Sequence, residues 1–437
     1  CVDADVAQTY THQVFDHCEL LKSVTKATFT MADGAIDVII DKAVAISMDG
    51  KPGPVHIDVP ISLATKEQNI PAPVRRVTPA ISGPVEGPEL VAARTALEKA
   101  KRPLMIAGVE VLHKRAAKDV SDFCRKFNIP LLTTYKAKGV LAEDDPLALG
   151  GVGLSPKADE IIFPLVAESD LIILAGYDPI EMRSSWVNAW GPEKTVIEFS
   201  DGPNTHYVHQ ASISFVGHVG AGLNALSEGG QSREIWPDNR PSVVRAAHKK
   251  AFAGDGHWGA HAIVAAARRA MPRNTIAAVD TGAHRILLSQ AWECYEPRGL
   301  MQSTALCTMG VAMPLALGRK LAEPERPVIA FCGDAGMEMI LGDLATARDQ
   351  KMAVPIVVFV DESLALIELK QRGSGYDNLG VDFGRTDFAA VANAMGGVGV
   401  TVTDEVSLEA ELIKSQSRDT FTLIACPIER KAYDGNI

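Results

Sequence analysis

Two β-branched, apolar runs, Pro327–Cys332 and Val354–Val360, each lead straight into an aspartate-bearing turn, and Asp334 and Asp361 stand 27 positions apart. A helical segment between the runs makes this a βαβ unit. Such a unit commits the chain to a parallel sheet, because parallel neighbours require a long crossover. Residues at the C-terminal ends of parallel strands border the crevice in which open α/β sheets bind ligands. Two carboxylates placed there suit Mg²⁺, which takes few protein oxygens and completes its octahedron with phosphate and water. Gly333 and Gly336 flank Asp334, with small Ala335 between them. The backbone is therefore expected to admit a ligand closely, and a helix opening near Gly336 to aim N–H groups at phosphate oxygens. The plainer alternative is two loop aspartates of an ordinary α/β domain.

A chain of 437 residues has room for two or three domains of ~150 residues each. The formal charge of −11, with no run of Lys and Arg, argues against a nucleic-acid surface. Seven cysteines with no CxxC pair read as reduced, mostly buried thiols, and a cytoplasmic setting is the expectation. No apolar run reaches the ~18 residues of a membrane span, and the opening does not read as a signal peptide. The first residue is Cys1, and the text begins on loop and helix. The expectation is that an N-terminal portion precedes it.

Three α/β segments follow from the alternation of strand-like and helix-like text. Residues 1–72 carry helix-like stretches at Gln13–Val24 and Ala35–Met48 and a strand at Pro54–Val59, and read as the end of a domain. A Pro-rich linker with Arg75 and Arg76 occupies residues 73–88. Residues 89–230 carry helices at Leu90–Ala100 and Lys114–Phe127, with strands at Pro103–Ala107, Ile129–Thr133, Leu171–Ala175 and Thr195–Ser200. Gly108 and Gly176 follow strands there without GxGxxG spacing, so no dinucleotide fingerprint is read. Residues 235–437 hold a helix at His257–Ala270, strands at Thr275–Val279 and Thr420–Cys426, and the paired aspartates. The fold class expected is three doubly wound parallel-sheet domains, the first incomplete.

The turn Asp280-Thr281-Gly282-Ala283-His284 closes another strand of the last segment and can face the same crevice. With Cys307-Thr308-Met309-Gly310, the whole set resembles the thiamine-diphosphate-dependent enzymes, in which Gly-Asp-Gly is followed at similar spacing by Asn. THQVFDHCELLKSVTKAT and KPGPVHIDVP resemble the pyrimidine-binding domain of acetolactate synthase-type members. KRPLMIAGVEV, TTYKAKGVL and LAGYDPIE resemble the central domain, and DTGAHR, LCTMGVAMPLALG, GDAGM and GVDFGRTDFAAVANAMG the diphosphate-binding domain. The resemblance implies Mg²⁺ on Asp334, Asp361 and the Ser363 carbonyl. It implies thiamine diphosphate against Gly282, Ala283, His284, Cys307, Met309, Gly333, Asp334, Ala335, Gly336, Ser363 and Leu366, with Met309 propping the pyrimidine. Three departures stand out. Ala335 and Cys307 replace glycines, Asp361 replaces the usual Asn, and no catalytic residue is visible. The family's activating Glu belongs to an early segment that has no match in residues 1–72.

By the same resemblance, pyruvate-type 2-oxo acids lose CO₂ on the cofactor. Simple decarboxylases carry a Glu six residues beyond the Asn position; here that place is Ile367, beside Leu366. An aliphatic pair in the substrate pocket implies carboligation to 2-acetolactate, with a 2-oxo acid decarboxylase or other lyase as the alternative. Glu368 stands one residue on. GYDPIE resembles the catabolic type, so FAD is possible but not favoured. A homodimer is the minimum assembly, and a tetramer is common in such a family. A non-catalytic scaffold or regulatory homologue is the alternative from another class.

Overall fold

A computed structural model describes residues 1–12, 14–67, 81–232, 234–303 and 305–437. Its strands, in chain order, are β1 Ala27–Thr30, β2 Val55–Asp58, β3 Pro103–Ala107, β4 Leu131–Thr134, β5 Ala148–Val152, β6 Leu171–Ala175 and β7 Thr195–Ser200. They continue with β8 Ile213–Val216, β9 Ile276–Val279, β10 Leu300–Gln302, β11 Val328–Gly333, β12 Pro355–Val360, β13 Val398–Thr401 and β14 Thr422–Pro427. The chain divides into two compact units, residues 1–82 with 201–203, and residues 83–200 with 204–437.

In the first unit β1 and β2 pair in parallel, Ala27 opposite Val55 and Thr30 opposite Asp58, and the helix Ile36–Met48 connects them. The sequence reading missed β1 and made the preceding helix too long. That helix is only His17–Leu21, capped by Asp16, whose Oδ1 accepts from the Glu19 amide at 2.8 Å. Gln13, the expected start, and the first half of the expected linker, Arg75 and Arg76 included, lie outside the described residues.

The second unit contains two six-stranded, all-parallel sheets, ordered β5-β4-β3-β6-β7-β8 and β10-β9-β11-β12-β14-β13. Double winding is visible residue by residue in the latter. Ile329, Phe331, Val357, Phe359 and Ile424 enter one hydrophobic core, whereas Val328, Ala330, Ile356, Val358 and Leu423 enter another. Alternate side chains of a strand point to opposite faces, so strands that are apolar throughout need a packed layer on each side. The strand order reverses between β3 and β6 in one sheet and between β9 and β11 in the other, where it reverses again at the β14–β13 edge.

The β3, β6 and β7 limits agree with the sequence reading, because these central strands are nearly all buried. The strands it did not find are at or next to an edge or contain glycine. Gly399 in β13 admits no side chain, since a Cβ there would lie 2.1 Å from the Ala389 carbonyl oxygen. The helix expected at Lys114–Phe127 begins only at Ala117, after Arg115 takes a positive φ of 55°, and a separate helical turn, Glu110–His113, precedes it. The link between β11 and β12 is likewise not one helix but three short pieces, Asp334–Glu338, Leu341–Asp343 and Leu344–Asp349.

The two sheets of this unit meet at a buried ion pair. Lys138 Nζ lies 2.6 Å from Glu143 Oε1, and Glu143 Oε2 accepts from the Cys294 amide at 2.7 Å. Breaking a buried pair leaves a charge uncompensated and costs about 3–5 kcal/mol. A Lys138→Met variant is expected to lose stability on that scale, read from its urea midpoint at unchanged slope.

Candidate active site at the strand ends

Asp280, Asp334 and Asp361 follow β9, β11 and β12, which are neighbours in the sheet. The spacing of 27 is closed by hydrogen bonds: Asp334 Oδ2 accepts from the amides of Asp361 at 3.1 Å and Glu362 at 2.7 Å. Asp334 Oδ1 accepts from the Ala335 amide at 2.8 Å. Asp280, fully buried, does the same for a second loop, accepting from Gly310 at 2.8 Å, from Val311 at 3.0 Å and from its neighbour Thr281 at 3.0 Å. These bonds stabilise the ionised carboxylates, while burial pushes both pKa values up.

Asp361 is placed differently. It is 5 % exposed and, among the described residues, accepts from the Ser363 amide alone, at 3.3 Å. Burial, and then the charge of Asp334, push its pKa up to about 8. Two buried like charges this close are at ease only with a proton or a cation between them. Their oxygens are hard donors, and among the described residues no third acid, His or Cys joins them. That donor set fits Mg²⁺, which relies on phosphate and water for most of its shell.

The glycines serve the protein's own side chains. A Cβ on Gly336 would lie 2.0 Å from Asp280 Oδ2, and Cβ atoms on Gly282 and Gly333 would lie 2.5 and 3.0 Å from His284 Cε1. These positions make room for the Asp280 carboxylate and the His284 ring, and all three line a cavity. The helix after Asp334 is a single turn, Asp334–Glu338, whose Ala335 amide is taken by Asp334. His284 stacks on Phe359, centroids 5.4 Å apart. Burial, then the neighbouring Arg285, lower its pKa to about 3, so the ring is neutral and brings no charge to a diphosphate.

A cavity of about 130 Å³ opens over these residues. Of the candidates named from the sequence, Gly282, Ala283, His284, Met309, Gly333, Asp334, Ala335, Gly336, Asp361, Ser363, Leu366 and Ile367 line it. Cys307 does not line it. It takes a positive φ of 50°, the conformation glycine adopts most readily, and its Sγ accepts from Arg285 Nη1 at 3.3 Å. Glu368 is also absent from the lining and is bound by Arg372, Nε to Oε1 at 2.9 Å. Sequence reasoning missed Thr281, Phe359, Leu364, Ala365 and Tyr433. Only Thr281 and Phe359 had a signal, as neighbours of the strand-end acids; Tyr433 comes from what read as a polar tail. Among the described residues, the Thr281 hydroxyl, His284 Nε2 and the Tyr433 hydroxyl are buried without hydrogen-bond partners. Unsatisfied polar atoms converging on a cavity fit a polar ligand.

The corresponding crevice of the other sheet is closed. Glu181 Oε2 accepts from the Val109 amide at 3.0 Å, and its Oε1 accepts from Thr134 Oγ1 at 2.6 Å. The Gly108 and Glu110 amides donate to the Ala175 and Gly176 carbonyls. The N–H groups that would greet a phosphate after β3 are thus answered from within the fold.

Residues 280–426 match the family described as thiamine pyrophosphate enzyme, C-terminal TPP binding domain, and residues 90–226 match its central domain. These matches cover more than half of the chain, which belongs to the thiamine pyrophosphate enzyme family. Among its relatives, an acetolactate synthase of Bacillus subtilis is 25 % identical over 98 % of this chain and 75 % of its own length. The acetolactate synthase isozyme 1 large subunit of Escherichia coli is 27 % identical over 90 % of this chain and 71 % of its own. Among the described residues no helix is long and apolar enough to cross a membrane.

Burial pushes the Glu181 pKa from 4.5 up to about 7, so the folded chain holds a proton that the unfolded chain releases. Stability from this group is full below about pH 4.5 and declines by about 3 kcal/mol as pH rises through 7. A Glu181→Gln variant should lack that decline, and denaturation at pH 5 and pH 8 would measure it.

Proposed function

We propose that this chain is an acetolactate synthase-like enzyme that binds thiamine diphosphate with Mg²⁺ and joins two molecules of pyruvate to 2-acetolactate with loss of CO₂. The observation that carries the reading is the cavity wall, where paired carboxylates face Met309 and the aliphatic pair Leu366 and Ile367. Bound thiamine diphosphate would supply the nucleophilic carbon and the electron sink, chemistry no side chain here offers. Asp334, Asp361 and the Ser363 carbonyl would hold the metal, and Gly282, Ala283, Gly333, Ala335 and Gly336 would border the diphosphate. Neutral His284 would present a hydrogen-bonding ring without repelling the metal, and Met309 would set the height of the pyrimidine. Cys307, outside the lining, would act on the cofactor only through its loop.

Leu366 and Ile367 would present an aliphatic wall to the reacting carbon, and Glu368, outside the cavity lining, is bound by Arg372. A wall without an acid disfavours protonation and leaves carbon–carbon bond formation as the exit. FAD is not favoured in this reading, since Glu181 takes the Val109 amide after β3. We assign residues 1–72 to a pyrimidine-binding domain, 89–230 to the central domain and 235–437 to the diphosphate domain, in a homodimer or a dimer of dimers. The exposed Ile367, Tyr376 and Leu379 support a partner chain over this face.

Purified protein given pyruvate, thiamine diphosphate and Mg²⁺, with no flavin, should yield acetolactate; acetaldehyde as the sole product would overturn carboligation. Calorimetry tests the site apart from turnover. Asp334→Ala should abolish Mg²⁺-dependent binding of thiamine diphosphate, and unchanged affinity would refute the assignment.

A further inference from the structure

We propose that a second cavity, of about 330 Å³ and set where the two six-stranded sheets of this unit adjoin, binds a small dianionic metabolite carrying a phosphate or two carboxylates. It shares no lining residue with the strand-end cavity. Its walls come from the β5 side of one sheet and from the helices Arg240–Ala251, Ala260–Ala270 and Ala283–Ala291.

The charges around it do not balance. Lys249 Nζ pairs with Glu293 Oε1 at 2.6 Å, and Arg269 pairs with Glu405 and Glu409. The other lining acid, Glu143, is held by Lys138. Arg245 and Arg268 have no carboxylate partner among the described residues. Arg245 donates from Nε to the Ala148 carbonyl at 2.9 Å and from Nη2 to the Glu143 carbonyl at 3.0 Å. Arg268 Nη2 donates to the carbonyls of Met271, at 3.0 Å, and Pro272, and its guanidinium lies 4.4 Å from the Trp292 ring centroid. Two partly buried guanidinium groups therefore border one cavity with no carboxylate bonded to either among the described residues, Glu293 acting on Arg268 only from a distance, a costly arrangement unless an anion completes it.

A separate observation points the same way. Gln290, only 7 % exposed, pairs its Oε1 with His248 Nε2 at 2.8 Å, and its Nε2 is buried with no partner among the described residues. His261 Nε2 is likewise buried and unpartnered. Burial lowers the His248 pKa to about 4, so that ring adds no charge of its own. Two guanidinium charges and an unmade amide donor match a dianion with several acceptor oxygens. The volume sits at the small end of the ~300–1,000 Å³ range of ligand pockets, which suits a metabolite better than a lone halide. The helix Ala283–Ala291 runs from His284 at the strand-end site to Gln290 at this one, so the two cavities share a rigid element.

Isothermal titration of inorganic phosphate and, separately, of succinate into protein saturated with thiamine diphosphate and Mg²⁺ tests the site. At least one probe should bind once per chain. Phosphate alone would assign a phosphoryl ligand and succinate alone a dicarboxylate. Affinity should fall about tenfold or more in Arg245→Gln and in Arg268→Gln, fall in Gln290→Leu, and survive in Arg245→Lys. Should Arg268→Gln not fold, Arg245→Gln and Gln290→Leu carry the comparison. Binding of neither probe, or undiminished affinity in Arg245→Gln, overturns the proposal.

Discussion

The carboxylate of Asp334 reaches sideways across the sheet to the amides of Asp361 and Glu362, and the geometry of the strand ends depends on that contact. Two parallel strands end level because one acid caps its own turn and ties down the next strand's exit. Asp280 repeats the device on β9, holding the turn at Gly310 and Val311. These acids have their acceptors largely committed to backbone. Asp361 alone keeps most of its capacity, and it is the one whose protonation the fold disturbs furthest. Pre-organised acceptors at a buried edge, with a like charge alongside, amount to a seat that a cation completes.

Close packing follows from the same arrangement. Gly336 leaves space for Asp280, and Gly282 and Gly333 leave space for His284. The glycines around Asp334 thus determine where side chains stand, and with them what the cavity admits. Ala335 is accommodated because its amide, and not its side chain, meets Asp334. Cys307 occupies a left-handed conformation and turns its sulfur to Arg285, which keeps it out of the cavity.

Both sheets of the larger unit reverse their strand order, at β3–β6 and at β9–β11, and parallel sheets bind ligands at such points. The two differ by what stands in the crevice. In the sheet containing β3 and β6, Glu181 folds in and takes the Val109 amide. In the sheet containing β9 and β11, the acids bond to backbone below the crevice and leave it open above. One architecture, repeated, thus supplies a closed scaffold and an open site.

Much was legible in the chain by itself. The runs Pro103–Ala107, Leu171–Ala175 and Thr195–Ser200 declared their strands, because a strand buried on both faces must be apolar throughout. The acids after β9, β11 and β12 announced a strand-end site, because a βαβ unit brings such turns to one edge. The first parallel pair was not legible, since Ala27–Thr30 is short and half-exposed, nor was Gly399 in β13, whose fitness is a matter of its neighbour Ala389. Tyr433 enters the cavity from a tail with no periodic pattern, and Arg245 and Arg268 are ordinary helix-surface residues until the sheets adjoin. Sequence fixes what depends on local period and spacing. Which glycine shelters which ring, which acid finds a partner and which charge is left without one are decided only by contacts between residues distant along the chain.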